Sequence, residues 1–207
     1  MTDNKEIKKD ILVELSSQLT KYGFKKKGDS FIRETESGLY QIIDIGLGRS
    51  TTIKANHVGV GFGIATEEWL NNLIKWKRPK ILTSADCEIR DCFCNLVPIS
   101  DETIWYPISL GLTPLINKID SHIQKSIVPY LDRIKTRHDI INMWRQHQHD
   151  IGFAEGRQLL AIGTLMFLTG DKDEGERILK KLIVDNKDNS YFTSTINKTL
   201  GQLSSSH

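Results

Sequence analysis

The sequence predicts an α+β fold, in which an antiparallel sheet of four to six strands is packed by an N-terminal helix and a post-sheet helix, followed by a helical C-terminal subdomain. Three observations lead to this prediction. Apolar residues recur at helical spacing before Gly23, large apolar residues alternate with glycines from His57 to Ile64, and helical spacing returns after Leu110. A block of strands between helical segments, without regular strand–helix alternation, is typical of the α+β class.

The N-terminal helix is predicted from one apolar stripe. Asp3, with Glu6 three residues later, has the pattern of an acidic capping box at the start of a helix. Gly23 suits the residue just after a helix, where a positive φ is common. The stripe consists of Ile7, Ile11, Leu15, Leu19 and Tyr22.

Six later segments have strand patterns. The dipeptides Gly28-Asp29 and Ser37-Gly38 predict tight turns between the first three strands. A short helical pattern at Glu67–Trp76 interrupts the series. The predicted strands are Phe24–Lys27, Ser30–Thr35, Leu39–Leu47, His57–Ile64, Cys87–Pro98 and Ile104–Ile108.

The chain after Leu110 is predicted to be helical. Pro129 is expected to kink or restart the first of these helices, because proline lacks the N–H that a helix interior requires. We place a boundary after this helix, with an α+β domain at residues 1–135 and a helical subdomain at residues 136–207. The predicted helices are Pro114–Ile127, His138–His149, Phe153–Leu168, Glu174–Val184 and Tyr191–Leu203.

Composition favours a cytoplasmic protein with no membrane attachment. The formal net charge of +2 creates no overall field that would attract nucleic acid or anionic lipid. The start, MTDNKEIKKD, lacks the apolar core of a secretion signal, and no run of about 18 apolar residues occurs. Three cysteines, an odd number, do not form the framework of a secreted disulfide-rich protein.

The cysteines are the first candidates for chemistry. Cys87, Cys92 and Cys94 lack the second ligand pair that a structural zinc site requires. We expect buried, inert thiols, and the alternative is a redox or metal role. No cofactor is predicted.

The glycines between His57 and Ile64 invite a nucleotide-binding interpretation, but they fail the dinucleotide fingerprint because Ile64 stands where the third glycine belongs. We expect them to leave room for a helix lying close on the sheet, or for a bulge. The alternative is an anion held near Arg49.

Two basic clusters occur, at Lys25–Lys27 and Lys75–Lys80. The second interleaves Trp76 with four cations, which is the pattern of a nucleic-acid stacking surface. Because acidic residues nearly balance the chain, we expect both clusters to be solvated surface, with lysines on an edge strand preventing sheet-to-sheet aggregation.

The segments GFKKKGDSFIRE (Gly23–Glu34) and QIIDIGL (Gln41–Leu47) resemble the opening of the bacterial domain of unknown function 4304 family. The resemblance covers residues 5–135 and implies a helix, a glycine turn, an aromatic-x-Arg strand and an apolar strand. It supplies no active site, although some relatives look like components of toxin–immunity neighbourhoods. Further matching residues are Asp86, Cys87, Arg90, Leu96 and Trp105.

Two departures from the family pattern bear on binding. Gly46-Leu47-Gly48 stands where the family usually has a polar Gln-Lys-Ser, and Cys92 replaces a second basic residue after Arg90. If those polar positions form a shared binding surface, this chain has altered it. Separately, Ala154–Val184 resembles one tetratricopeptide-type helical pair, with Gly156 and Gly163 seven residues apart.

Three hypotheses for function follow. The leading one is a non-enzymatic protein-binding module, with an immunity-type role as its sharper form and an unidentified protein partner. The second is an enzyme or sensor for a small anionic ligand, bound by Arg49, Arg90 and Trp105 near the glycine-lined sheet face. The third is a weak nucleic-acid binder that uses Lys75–Lys80.

Overall fold

A computed structural model of the chain describes residues 4–49, 56–72, 79–92, 106–146 and 155–205. In these ranges an N-terminal helix precedes a six-stranded antiparallel sheet, and helices follow, so the predicted α+β class is confirmed. The strands are β1 (Lys25–Lys27), β2 (Ser30–Glu36), β3 (Leu39–Arg49), β4 (Asn56–Thr66), β5 (Ile89–Cys92) and β6 (Tyr106–Pro107). The helices are α1 (Asn4–Thr20), α2 (Glu67–Asn72), α3 (Leu112–His122), α4 (Val128–Asp132), α5 (Arg137–Arg145), α6 (Glu155–Thr169), α7 (Lys172–Asp185) and α8 (Ser190–Ser205).

The sheet has the strand order β1-β2-β3-β4-β5, and β6 also pairs with β4. Two-residue turns join β1 to β2 and β2 to β3 at the predicted Gly28-Asp29 and Ser37-Gly38. The glycines of these turns have φ values of 62° and 74°, which residues with side chains adopt at a cost. Because β3 pairs with β4 along its whole length, β5 and β6 follow one another along the other side of β4.

One face of the sheet, which we call the core face, carries the large apolar residues of the alternating pattern. Phe31, Ile43 and Phe62 are paired across β2, β3 and β4 and are buried. α1 and α3 contribute Leu15 and Ile119 to the same buried cluster. The predicted packing of the sheet by an N-terminal and a post-sheet helix is therefore confirmed.

The helical C-terminal region shares this core. Ile140 and Ile141 of α5, with Leu165 and Met166 of α6, belong to the same buried cluster as the core-face residues. The boundary between residues 135 and 136 stays a prediction. None of the helices in the described ranges is long and apolar enough to cross a bilayer.

The predicted interruption at Pro129 takes the form of a π-helical segment. Ile123–Ile127 joins α3 to α4, and Pro129 lies in the first turn of α4. A π-helical turn changes the register of the backbone hydrogen bonds just before Pro129, which has no N–H to donate. The helical path therefore continues past the proline.

The opposite face of the sheet, which we call the glycine face, is covered by α2 and by a 3₁₀ turn at Ser84–Asp86. A Cβ atom at Gly61 would overlap the side chains of Asp44 and Ser84. A Cβ atom at Gly63 would lie 2.6 Å from Cys87 Sγ. The glycines thus leave room for close packing, as predicted, but the segment that occupies this room is a 3₁₀ turn and its flanks.

The predicted α6–α7 hairpin and the last helix are confirmed. Gly170, between α6 and α7, has a φ of 109°. A Cβ atom at Gly175 would lie 2.6 Å from the carbonyl oxygen of Gly163, so the two helices are in backbone contact at this point. Gly156 instead faces α8, where a Cβ atom at this position would lie 3.3 Å from the Phe192 ring.

Candidate functional site

The backbones of Arg49 and Arg90, two of the three residues predicted to bind a ligand, pair with distant positions of β4. Arg90 pairs with Gly63 of β4, whereas the backbone of Arg49 pairs with Asn56, seven residues further along the same strand. At about 3.3 Å per residue, these two register positions are roughly 23 Å apart. Trp105 lies outside the described residues, as do Cys94 and residues 75–78 of the second basic cluster.

The glycine face holds a group of polar side chains that sequence reasoning missed. Asp44 accepts hydrogen bonds from the Ser84 N–H at 2.8 Å and from the Ser84 hydroxyl at 3.0 Å. Asp86 accepts from the Thr83 N–H and hydroxyl, both at 2.8 Å, and so closes the 3₁₀ turn. Asp44 of β3 therefore holds this turn against the sheet, while Asp86 stabilises the turn itself.

Cys87 follows the turn and is buried, with 1% of its surface exposed. Burial raises the pKa of its thiol well above the usual value, and the neighbouring carboxylates of Glu88, Asp44 and Asp86 raise it further. A thiol that stays protonated is a poor nucleophile and a poor metal ligand. The prediction of a buried thiol is confirmed for Cys87.

Glu88 is a buried carboxyl group of this face. It is 5% exposed, and burial raises its pKa to about 8. Its Oε2 atom accepts a 2.7 Å hydrogen bond from the Thr66 hydroxyl, which in turn accepts the Trp69 N–H at the start of α2. Glu88 is thus uncharged at neutral pH and joins β5 to the β4–α2 junction.

No group of three or more histidine, cysteine, aspartate or glutamate residues in the described ranges is arranged to hold a metal ion. The polar groups of the glycine face are instead bonded to one another and to the backbone. This arrangement anchors α2, the 3₁₀ turn and β5 on the sheet.

Arg33, the arginine of the aromatic-x-Arg motif, also holds the scaffold. Its guanidinium carbon lies 4.5 Å from the centre of the Phe24 ring. The guanidinium donates to the Tyr22 carbonyl at 2.9 Å, to the Gln41 side chain and to Asp132 at 2.7 Å. The motif therefore ties the end of α1 to β3 and to α4.

Gln41 extends this network into the core. Its amide donates to the carbonyl oxygens of Leu131 and Ile134, both at 2.7 Å. These carbonyls belong to the end of α4 and the residues after it, where a helix leaves acceptors without intrahelical partners. A buried polar side chain of β3 therefore fixes the chain leaving α4.

A half-open cavity of about 440 Å³ lies beside this point, between α4 and α5. Buried Tyr130 and Ile134 line its floor, and exposed Arg133 lines one side. The other side is formed by one face of α5 and the residue after it, at spacings of three and four: Asp139, Asn142, Met143 and Gln146.

The sequence pattern of the family described as Domain of unknown function (DUF4304) matches residues 15–133. This segment is more than half of the chain. The chain belongs to this family. No curated protein and no solved structure is significantly similar to it.

The DUF4304 match places the cavity at the end of the family domain. The match includes Arg33, Glu88 and Arg133, and it ends just before α5. The cavity therefore combines α4, which belongs to the family domain, with a helix from the part of the chain beyond it.

Sequence reasoning had a partial signal for these residues. On the predicted His138–His149 helix, one polar stripe indicates solvent or a partner surface, and it consists of His138, Asn142, Arg145 and His149. Nothing in the sequence indicates that the loop after α4 would bring Arg133 opposite this stripe. No sequence pattern predicts the burial of Glu88 either, because this burial depends on how β5 lies beside β4.

Proposed function

We propose that this member of the DUF4304 family is a non-catalytic, cytoplasmic protein-binding module, with an immunity-type role as the specific form to test. The observation that carries the proposal is the use made of the family-motif arginine. Arg33 makes hydrogen bonds to the backbone after α1 and to side chains of β3 and α4, so the motif stabilises a scaffold. A scaffold of this kind can present different surfaces to different partners.

The polar groups of the glycine face support the same conclusion. Asp44 and Asp86 are bonded within the 3₁₀ turn, Glu88 is uncharged at neutral pH, and Cys87 stays a thiol. General bases and nucleophiles need access to a substrate, whereas Glu88 and Cys87 are buried. These four groups are better explained as structural.

The α6–α7 hairpin adds a second argument. Its close helix approach at Gly163 and Gly175 fits the resemblance to a tetratricopeptide-type pair. Such pairs commonly serve as binding scaffolds, although one pair needs neighbours to bury its faces. Here α8 is such a neighbour, since Ile196 and Leu203 are buried against Leu160 and Leu179.

The experiment is capture of partners in the native host. A tagged chain is crosslinked in living cells, and the attached proteins, including those encoded beside it, are identified by mass spectrometry. We expect one protein that also forms a stoichiometric complex when both purified proteins are mixed. If that protein is a toxin, co-expression should restore growth. A tagged protein of equal size is the control, and capture no greater than this control would refute the proposal.

The small anionic ligand is a weaker alternative. Ser84 and Cys87 occupy the space over Gly61 and Gly63 on the face where such a ligand was expected. A role for Arg49, Arg90 and Trp105 remains a separate proposal. Nucleic-acid binding through Lys75–Lys80 also remains one, and salt-dependent retention on DNA or RNA would test it.

A further inference from the structure

We propose that the cavity between α4 and α5 binds an acidic side chain of the protein partner, with Arg133 as its charge partner and the carboxamides of Asn142 and Gln146 as hydrogen-bond donors. This inference rests on the proposed protein-binding function. It adds a location for the contact and a chemistry for the partner's segment.

The cavity has the size and rigidity of a preformed site. Its volume of about 440 Å³ lies in the range of known ligand pockets and can hold a carboxylate side chain with its backbone. The ring of Tyr130 on its floor packs edge-on against Phe62 of β4, with ring centres 5.5 Å apart. The floor is therefore part of the protein core, so little ordering is needed on binding.

Arg133 provides the positive charge. It is exposed, lies 5.2 Å over the Tyr130 ring, and forms no ion pair with any residue in the described ranges. By contrast, Arg33, Arg137 and Arg145 each contact a carboxylate within 3 Å. A guanidinium on an aromatic ring is oriented for bidentate binding of a carboxylate.

Asp139 is a carboxylate at the cavity and would repel an acidic ligand if it were uncompensated. Its Oδ2 atom accepts hydrogen bonds from the Lys135 and Thr136 N–H groups, at 2.9 Å and 2.8 Å. Partial burial alone would raise its pKa, but these hydrogen bonds and nearby His138 outweigh burial and lower it. Asp139 is thus committed to the start of α5, where the helix dipole favours a negative charge.

Asn142 and Gln146 supply neutral donors on the same face of α5 as Asp139. Neither side-chain amide is bonded to another group among the residues that the structure describes. Met143 between them offers a flexible apolar surface for the ligand's methylene groups. A guanidinium, two amides and an apolar floor together match glutamate or aspartate better than a cationic or wholly apolar side chain.

The test is an NMR titration of the full chain, because Asn and Gln side-chain amides and the Arg Nε–H are visible in ¹H–¹⁵N spectra. The probes are a capped peptide of four glutamates, the same peptide with four glutamines, and free glutarate. The variants are Arg133→Ala and the nearly isosteric Asn142→Asp, which places a second negative charge in the cavity. The matched control is Arg177→Ala, since Arg177 is 71% exposed on α7.

We expect the glutamate peptide to shift the Arg133, Asn142 and Gln146 side-chain signals. The glutamine peptide should bind wild type about tenfold or more weakly than the glutamate peptide does. Both cavity variants should bind the glutamate peptide about tenfold or more weakly than wild type, and Arg177→Ala should bind it equally well. Equal binding of the two peptides, or no shifts at the cavity, would overturn the proposal. Glutarate that binds as tightly as the glutamate peptide would also overturn it, because a free carboxylate would then be the ligand.

This result is separable from the partner capture. A captured partner with no peptide binding at the cavity would keep the protein-binding function and refute this site. Cavity binding of the glutamate peptide with no captured partner would establish the carboxylate site and refute the protein-binding function.

Discussion

At Glu88, burial decides which protonation state the fold can hold. Its carboxyl carries a proton up to about pH 8, whereas an ordinary glutamate loses its proton near 4.5. The folded chain therefore binds more protons than the unfolded chain between these values, and the free energy of unfolding falls as pH rises through this window. Above about pH 8, Glu88 is charged in the fold as well, and its destabilising contribution to the free energy of unfolding no longer grows.

Glu88→Gln should remove this pH dependence. The glutamine oxygen can still accept the Thr66 hydroxyl, and the amide replaces the protonated oxygen without adding charge. We expect wild type to lose a few kcal/mol of unfolding free energy between pH 5 and pH 9, and the variant to lose clearly less.

Urea unfolding at pH 5, 7 and 9 measures this difference. Glu176→Gln is the control, because Glu176 is an exposed carboxylate on α7 and pairs with Lys180. A Glu88→Gln profile as steep as that of wild type would show that Glu88 is charged in the fold.

Among the secondary-structure elements, the local ones followed from sequence best. α1, the hairpins at Gly28-Asp29 and Ser37-Gly38, and the glycine-rich β4 were all predicted, because their signals come from neighbouring residues. Close packing at the glycines was predicted, but a helix or a bulge was expected there. That a 3₁₀ turn covers the glycine face depends on Asp44 and Asp86, whose hydrogen bonds span turns and strands and leave no periodic signal.

Gly175 of α7 should be more sensitive to substitution than Gly201 of α8. A Cβ atom at Gly175 would lie 2.5 Å from the Phe167 nitrogen, a backbone atom that cannot move without shifting α6. A Cβ atom at Gly201 would meet nothing within 4 Å.

Gly175→Ala is expected to destabilise the chain by about 1–3 kcal/mol through overpacking. Gly201→Ala should be neutral or stabilise it by up to about 1 kcal/mol, because alanine favours the helix. Thermal unfolding of both variants beside wild type is the measurement. Equal effects would mean that α6 and α7 are not in backbone contact.

For the molecule as a whole, contacts between distant parts of the chain hold the family domain and the later helices together. Arg137, at the start of α5, donates to both oxygens of Glu68, each at 2.9 Å, and to the Ser37 carbonyl at 2.9 Å. Its backbone N–H donates to Glu36 at 2.8 Å. This arginine therefore links α5 with α2 and with the β2–β3 turn.

Arg137→Met should destabilise the chain by about 2 kcal/mol, because it leaves two partly buried carboxylates without their cation. The matched control Arg177→Met removes an exposed arginine that lies 3.8 Å from Glu174, and should change stability by less than about 0.5 kcal/mol. Urea midpoints report both. A midpoint of Arg137→Met equal to that of the control would show that this link contributes nothing.

The candidate site could be predicted least well, because it depends on contacts between residues that are far apart in the sequence. Asn142 lay in a predicted polar stripe, but its position opposite Arg133 depends on Gln41 fixing the end of α4 from a distant strand. Arg49 and Arg90 were chosen for their charge, and the sheet register places their backbones far apart along β4.

The polar groups of the glycine face support a scaffold, and we propose that another surface binds a protein partner. The most direct test is the dissociation constant of the captured partner for wild type and for Glu88→Gln, with folding of both checked by NMR. We predict a measurable complex whose dissociation constants agree within about twofold. A folded Glu88→Gln variant that binds tenfold more weakly, or a wild-type chain with no partner, would contradict the claim.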